Sequence, residues 1–245
     1  MYTKNTKFTL AAGDTNLSGA RTQVVALFSD LRGFSDWCET QTPDIVAALM
    51  KSQFERVIQI CNDHHHHFHK FLGDGFLLLW EADEEFSIED CVRHALDAAF
   101  HLHSKYRLLS RDFGCPTPGG YGVGISMGEA VRIQPETSLR EMNEVDFVGY
   151  PLNCAARMQT LAEGYGTVVC ATTARLIEAG DGLADPEAAG LRHGLAAPSN
   201  GQLQRAALLH GLRAEDRSGF RYVSFIDPQQ QILHRSDNRA RVSNH

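Results

Sequence analysis

This chain of 245 residues lacks any apolar run of the roughly 20 residues that a membrane-spanning helix needs. Its first 20 residues are polar and do not contain the apolar core of a secretory signal peptide. Basic residues are fewer than acidic ones, with 23 Lys and Arg against 30 Asp and Glu and a net charge of −7. These features argue against a membrane protein, a secreted protein and a nucleic-acid-binding protein. We therefore expect a cytoplasmic protein.

Two common nucleotide-binding signatures are also missing. There is no P-loop sequence, and the glycine-bearing segment 122–128 lacks the full Gly-x-Gly-x-x-Gly pattern. The six cysteines form no Cys-x-x-Cys pair, so we expect reduced thiols rather than a disulfide framework. What the chain does have is 43% hydrophobic residues, enough to bury the core of one domain.

Hydrophobic periodicity predicts strands that alternate with helices. A β-branched apolar run over 22–28 predicts a buried strand, and the Asp-Gly turn between apolar runs at 68–72 and 76–80 predicts a β-hairpin. Pro43 favours the start of one helix, and Ser87, followed three residues later by an acid, favours the start of another. Further strands are predicted over 121–131, 167–171, 203–209 and 220–225, with helices over 153–161 and 172–179.

The order of the first elements is β-α-β-β-α-β with a hairpin at its centre, which is the split ferredoxin-like arrangement. We expect an α+β fold with a largely antiparallel sheet and helices that cover one face. The core domain is predicted to span residues 21–226. It is flanked by polar segments over 1–20 and 227–245, the latter expected to fray, and a Gly-, Ala- and Pro-rich loop is predicted over 180–201.

Two acids occupy turns next to predicted strands. Asp30 follows the first strand and Asp74 lies in the turn of the hairpin, so adjacent strands could bring both carboxylates to one place. Such hard oxygen ligands suit Mg²⁺, and the carbonyl of Leu31 could add a third. Taken singly, an Asp at either position is more often a turn or cap residue, and Asp-Gly is most often an ordinary hairpin turn.

A second pair of candidates lies on a predicted helix. Asn153 and Arg157 are four residues apart, so they share one face about one turn apart. The planar fork of an arginine pairs well with phosphoryl oxygens. The alternative is a surface arginine together with an Asn that caps the helix after Gly149 and Pro151.

These residues lie in three segments: 28–35 (Phe-Ser-Asp-Leu-Arg-Gly-Phe-Ser), 70–74 (Lys-Phe-Leu-Gly-Asp) and 146–158 (Asp-Phe-Val-Gly-Tyr-Pro-Leu-Asn-Cys-Ala-Ala-Arg-Met). Together, over roughly residues 23–171, they resemble the catalytic domain of the class III nucleotidyl cyclases. Those enzymes close a nucleoside triphosphate into a 3′,5′-cyclic monophosphate. The resemblance implies the same ferredoxin-like core and a phosphoryl transfer assisted by two metal ions.

The resemblance also assigns roles to individual residues. It implies that Asp30, Asp74 and the Leu31 carbonyl bind two divalent cations, Mg²⁺ or Mn²⁺, and it places Phe34 with the substrate. It implies that Asn153 holds the ribose. It also implies that the arginine one turn further along the same helix stabilises the negative charge that develops on the transferring phosphoryl group.

The base-reading positions of the family correspond to Lys70 and Asp146, a combination associated with adenine. Late in the chain the family often shows Leu-Lys-Gly, whose lysine grips the triphosphate. The nearest match here is Leu-His-Gly around His210, so His210, Arg213 or Arg217 is expected to take that role.

The loop before Lys70 is normally glycine-rich in the family, and here it carries four consecutive histidines at 64–67. Histidines bind Zn²⁺ well, but adjacent residues on a strand point to opposite faces. We therefore expect a solvated loop here rather than a metal site.

In the resembled family one protomer supplies the metal-binding acids and the other supplies the base-reading residues, which implies a head-to-tail homodimer with two composite sites. The chain is expected to carry little beyond the cyclase domain. In this expected restriction to one catalytic domain, and in segment 30–38, it resembles the stand-alone cyclases of the Pycsar anti-phage systems. Those enzymes make cyclic UMP or cyclic CMP, which activates a separate effector. UTP is thus the expected substrate. An adenylate cyclase and an inactive nucleotide-binding module are the alternatives.

Overall fold

The computed structural model describes residues 7–12, 15–136, 144–180, 192–227 and 230–234. Ten strands and seven helices lie in these ranges. The strands are β1 (Lys7–Ala12), β2 (Thr15–Leu31), β3 (Phe68–Leu72), β4 (Gly75–Ala82), β5 (Tyr121–Glu136), β6 (Asp146–Val148), β7 (Gly166–Val169), β8 (Arg192–Ala196), β9 (Arg221–Asp227) and β10 (Gln230–His234). The helices are α1 (Phe34–Glu39), α2 (Pro43–Asp63), α3 (Ile88–Asp112), α4 (Tyr150–Leu161), α5 (Ala171–Ala179), α6 (Asn200–Ala207) and α7 (Ala214–Gly219).

The strands form one sheet in the order β10-β9-β7-β5-β2-β4-β3, with β1 on β2, β6 on β5 and β8 on β9. Only the β5–β7 pair is parallel among the strand pairs of the described ranges. The inner order β5-β2-β4-β3 is that of a split βαβ ferredoxin-like core. The predicted α+β fold with a largely antiparallel sheet is confirmed.

Strand β2 is buried on both faces, and this decides where the helices lie. Val25 and Leu27 face α2 and α3, whereas Val24 and Ala26 face the opposite side, and all four are 0% exposed. Helix α4 covers that opposite side. The expectation that helices cover one face is therefore wrong, because a central strand that is apolar on both sides needs cover on both.

Local start signals agree with the structure. Helix α2 begins at Pro43, as predicted. Helix α3 begins with a capping box, in which the Asp90 N–H donates to Ser87 Oγ and the Ser87 N–H donates to the Asp90 carboxylate, each at 3.1 Å. The predicted hairpin is β3 and β4.

Other assignments differ from the predictions. Residues 203–209, expected as a strand, lie in and just after α6, which begins with a capping box between Ser199 and Gln202. A short apolar run does not by itself distinguish a buried strand from a helix, and here the capping pair decides. Within the loop predicted over 180–201, residues 192–196 form β8 and pair with β9, while 181–191 lie outside the described residues.

Both flanking segments carry strands. In the predicted N-terminal segment, β1 forms a hairpin with the first part of β2. In the predicted tail, residues 230–234 form β10 and pair with β9, and the expected fraying stays a prediction. Residues 235–245 lie outside the described ranges, and the domain limits at 21 and 226 stay predictions. No helix in the described parts of the chain is long and apolar enough to cross a bilayer.

Candidate active site

The carboxylates of Asp30 and Asp74 meet at one end of β2 and β4. Ser29 pairs with Phe76 in the antiparallel register, so Asp30 lies beside the turn between β3 and β4. Gly75 permits this approach, because a Cβ there would lie 2.2 Å from the Ser29 carbonyl oxygen. Burial first, and then the charge of Asp30, raise the pKa of Asp74. Two carboxylates that repel each other across a short gap are a donor set suited to a divalent cation.

The two residues predicted beside the acids have different surroundings. Leu31 donates its backbone N–H to the Asp74 carboxylate while its side chain is buried in the core. Phe34 begins helix α1, which was not predicted from the sequence, and packs against the core with its ring centroid 6.0 Å from that of Trp37. A metal contact by the Leu31 carbonyl and a substrate contact by Phe34 stay predictions.

Arg32 holds Asp30 in place, and sequence reasoning did not assign it to the site. Its Nη1 donates to Asp30 Oδ2 at 2.8 Å, its Nε donates to the carbonyl oxygen of Ala162 at 3.0 Å, and its Nη2 donates to that of Gln159. Gly122 leaves the necessary space, since a Cβ there would lie 2.1 Å from Arg32 Nη2. The signal available in the sequence was the spacing of two from Asp30, which places both side chains on one side of an extended chain.

A pocket of about 300 Å³ lies between β3, β6 and the start of α4. Lys70 and Asp146 both line it and form an ion pair, with Lys70 Nζ 3.0 Å from Asp146 Oδ2. The structure therefore brings the two predicted base-reading residues together. Phe147 also lines the pocket, and its ring packs edge-on against that of Phe68 at 5.2 Å. The remaining wall is largely apolar and comprises Phe28, Leu72, Leu77, Val148, Leu152 and Ala156.

Asn153 lines the same pocket from α4, whereas Arg157 does not. The helix begins at Tyr150 with Gly149 as its N-cap, so Asn153 is the fourth helical residue. The alternative interpretation of Asn153 as the N-cap is therefore wrong. Both side chains are exposed, and neither has a hydrogen-bond or ion-pair partner within the described part of the chain.

Arg32, which holds Asp30, and the base pocket contact different ends of α4. Arg32 ties Asp30 to the carbonyl oxygens of Gln159 and Ala162 at the C-terminal end, while Asn153 faces the pocket near the N-terminal end. Gln159 comes six residues after Asn153, which is about 9 Å along the helix axis at 1.5 Å per residue. Within one chain, the two halves of the predicted site are thus apart.

Of the three cations considered for the triphosphate, Arg213 is the one fixed at the start of α4. Its guanidinium carbon lies 4.0 Å from the centroid of the Tyr150 ring, and its backbone N–H donates to the Tyr150 hydroxyl at 2.8 Å. That hydroxyl in turn donates to buried Asp216 at 2.6 Å. His210 and Arg217 are exposed and do not line the base pocket.

The histidine run is less solvated than predicted. His64 is 7% exposed, and its Nε2 lies 2.7 Å from Nδ1 of His101 on α3. Burial, and secondarily the neighbouring His101, lower the pKa of His64 to about 4. The Nδ1 atom of His67 accepts the N–H of Glu81 at 2.9 Å, so this histidine fixes the edge of β4.

Comparison with known proteins agrees with this fold. A family model described as the adenylate and guanylate cyclase catalytic domain matches residues 18–187. The structure superposes on the adenylyl cyclase CyaB from P. aeruginosa with a TM-score of 0.65 at 13% identity, over 89% of this chain and 96% of that one. It superposes on the guanylyl cyclase Cya2 with a TM-score of 0.58 at 20% identity, over 88% and 99% of the two chains.

The curated relatives match this chain over only part of their own length. "Adenylate cyclase 1" of Rhizobium meliloti is 26% identical over 163 residues, which is 66% of this chain and 24% of that protein. An uncharacterized protein of Mycobacterium tuberculosis is 28% identical over 149 residues, which is 61% of this chain and 26% of that protein. The chain thus spans about a quarter of the length of the curated relatives that it matches.

Proposed function

We propose a reaction and a substrate for this chain from one premise, namely that it belongs to the adenylate and guanylate cyclase catalytic domain family, the class III nucleotidyl cyclases. The proposed reaction is attack of the ribose 3′-oxygen on the α-phosphorus of a nucleoside triphosphate, with pyrophosphate as the leaving group. The observation that carries it is the meeting of the Asp30 and Asp74 carboxylates at the ends of β2 and β4.

In this mechanism Asp30 and Asp74 would hold two divalent cations, Mg²⁺ or Mn²⁺. Such cations cancel charge on the triphosphate and favour ionisation of the attacking hydroxyl. Arg32 keeps the Asp30 carboxylate oriented through its hydrogen bond of 2.8 Å. Asn153 donates or accepts at the ribose, and the planar guanidinium of Arg157 pairs with oxygens of the transferring phosphoryl group.

We infer that the active unit is a head-to-tail homodimer with two composite sites. The support is that Arg32, which holds Asp30, contacts the C-terminal end of α4 while the base pocket lies at its N-terminal end, together with the exposed side chains of Asn153 and Arg157, which have no partner within the described residues. A second copy placed head to tail would bring the acids of one protomer to the pocket of the other. A closed twofold arrangement of this kind contains two such sites.

Complementation tests the dimer. Asp30→Asn and Asn153→Ala should each abolish turnover as homodimers. Mixed at equal amounts with free exchange, half of the dimers are mixed and each has one intact site, so about a quarter of the wild-type rate should return. A mixture that stays inactive while exchange is shown by native mass spectrometry would contradict composite sites.

UTP is the proposed substrate, with cyclic UMP as the product. The Lys70 ammonium can donate to a uracil carbonyl, and the Asp146 carboxylate can accept from the ring N–H. The pocket, at about 300 Å³, is at the small end of the range for ligand sites, which supports the smaller base. The competing proposal is ATP, since the same pair can donate to a ring nitrogen of adenine and accept from its amino group.

Incubation of the purified chain with each of the four nucleoside triphosphates, with Mg²⁺ and separately with Mn²⁺, decides between these bases. Cyclic UMP should be the dominant product by mass spectrometry and should vanish in Asp74→Asn. If cyclic AMP is the dominant product, the substrate is ATP and the assignment of UTP is wrong. No cyclic product from any nucleotide would support the inactive nucleotide-binding module instead.

A role in anti-phage defence, in which the product activates a separate effector, is the last part of the proposal. It is supported by the resemblance of segment 30–38 to the Pycsar cyclases. Co-expression with an effector that binds cyclic nucleotides should reduce phage plaque counts, and Asp30→Asn should restore them. Equal plaque counts with and without the active enzyme would contradict this role.

A further inference from the structure

Three metal-binding side chains converge away from the candidate active site, where α2 ends and β3 begins. One ligand atom each of Cys61, His66 and His69 lies within 4.8 Å of the other two. Within the cluster, His66 Nε2 and His69 Nδ1 are 2.9 Å apart. We propose that this cluster, called here the Cys61 site, binds one Zn²⁺ ion per chain.

The chemistry of the three ligands selects the ion. One thiolate and two imidazoles are borderline-soft donors of the kind that Zn²⁺ takes in tetrahedral sites, whereas Mg²⁺ prefers oxygen. Three protein ligands leave a fourth position for a water molecule. The Asp30–Asp74 pair offers only carboxylate oxygens, so the two places favour different cations.

The orientation of His66 is already that of a metal ligand. Its Nδ1 lies 2.9 Å from the carbonyl oxygen of Cys61, in hydrogen-bond contact. When Nδ1 carries the proton, the lone pair of Nε2 points at His69. Ligating histidines usually donate their other ring N–H to a backbone carbonyl or carboxylate in this way, which fixes the tautomer.

Small movements would complete the geometry. Tetrahedral zinc with bonds of about 2.0–2.3 Å places its ligand atoms about 3.3–3.6 Å apart. The two imidazole nitrogens, 2.9 Å apart, must therefore separate slightly, while the sulfur lies within 4.8 Å of both. His69 is exposed and free to adjust, whereas Cys61 is 5% exposed and held in α2.

The structure also explains why alternation along a strand did not predict this site. The histidine run precedes β3, and His65 has a φ of 49°, so the chain turns there. That turn directs His66 back toward the last turn of α2. Only His66 of the four consecutive histidines joins the cluster, and its partner His69 is three residues later.

Cobalt substitution of the full, reduced chain tests the proposal in the presence of excess Mg²⁺. One equivalent of Co²⁺ should give intense visible bands of a four-coordinate ion and a near-ultraviolet thiolate-to-cobalt band. Zinc should displace it stoichiometrically, and Cys61→Ala should remove the near-ultraviolet band. Absence of that band in the wild-type chain would overturn the site.

Affinity measurements identify the histidines. Loss of an outer-sphere partner typically weakens metal binding 10–100-fold, so loss of a direct ligand in His66→Gln or His69→Gln should weaken it by about 100-fold or more. The matched control is His65→Asn, since His65 is exposed, outside the cluster, and in a left-handed conformation that Asn tolerates. If His65→Asn weakens zinc binding as much as His69→Gln does, the assignment is wrong. His69 is exposed, so His69→Gln is expected to fold and decides the matter if His66→Gln does not.

Discussion

Replacing Arg32 by methionine is expected to damage both the stability and the activity of the protein. Arg32→Met keeps the apolar stem but removes the donors to Asp30, Ala162 and Gln159. The Arg32 side chain is 26% exposed, so water replaces these bonds only in part. Hydrogen bonds to charged groups contribute about 1.5–3 kcal/mol each, and an unsatisfied buried carbonyl costs about 1–3 kcal/mol. Because the losses overlap, we expect a decrease of about 3 kcal/mol in the free energy of unfolding.

Urea unfolding, followed by circular dichroism, measures this decrease. The control is Arg21→Met on β2, where an exposed ion pair with Glu129 at 3.1 Å should contribute less than about 1 kcal/mol. Arg32→Lys retains the charge but cannot donate to three acceptors in a planar fork. Its free energy of unfolding should therefore lie between those of the wild type and Arg32→Met. The cyclase rate should fall in Arg32→Met even at temperatures where the fold is intact, because Asp30 loses its fixed orientation.

Gly122→Ala provides an independent test of the same contact. Its Cβ would lie 2.1 Å from Arg32 Nη2, so the guanidinium must leave its place. The double variant Gly122→Ala/Arg32→Met should therefore be less destabilised than the sum of the two single variants. If Arg32→Met and Arg21→Met lose equally little stability, or if the double variant is strictly additive, the structural role given to Arg32 is refuted.

Three further predictions follow from other contacts. Gly75→Ala should reduce stability and abolish turnover, because its Cβ would lie 2.2 Å from a backbone oxygen of β2; an active variant with the wild-type urea midpoint would contradict the close approach of β2 and β4. The pKa of His64 is lowered to about 4 in the folded chain, against 6.5 for an unperturbed histidine. The folded state is therefore favoured above pH 6.5, and this contribution of roughly 3 kcal/mol is lost as the pH falls from 6.5 toward 4. Urea unfolding between pH 7.5 and 4.5 should show that slope, and His64→Gln should flatten it; an unchanged slope in the variant would refute the assignment. Tyr150→Phe removes the hydroxyl between Asp216 and the Arg213 N–H and should cost about 1–3 kcal/mol, whereas a urea midpoint equal to that of the wild type would show that water replaces the hydroxyl at no cost.

Short-range signals explain which parts of the fold were predictable. The capping box at Ser87, the proline at position 43 and the Asp-Gly turn each act within a few residues, and the structure has the predicted elements at all three places. The same kind of signal was overlooked at Ser199, where a capping box starts α6 and overrides the strand expected over 203–209. The position of α4 on the second face has no local signal, because it depends on how β2 is buried.

The candidate site divides in the same way. The residue types at 30, 74, 70 and 146 are visible in the sequence, and the structure brings them together as two pairs. Arg32 was missed because two of its acceptors lie 127 and 130 residues later in the chain, on the last turn of α4 and just beyond it. The Cys61 site was missed because the turn at His65 changes the direction of the chain.

The sequence by itself determined the family, the strand and helix types with strong local signals, and the acids, amide and cations available for phosphoryl transfer. It did so because turn chemistry, capping and motif spacing are properties of neighbouring residues. Only the tertiary structure decided that Arg32 fixes Asp30 against the C-terminal end of α4 while the base pocket lies at its N-terminal end, and that Cys61, His66 and His69 converge. The placement of Arg32 and of the base pocket depends on strand register and on helix packing between segments far apart in the chain, whereas the convergence of Cys61, His66 and His69 depends on the turn at His65 between α2 and β3.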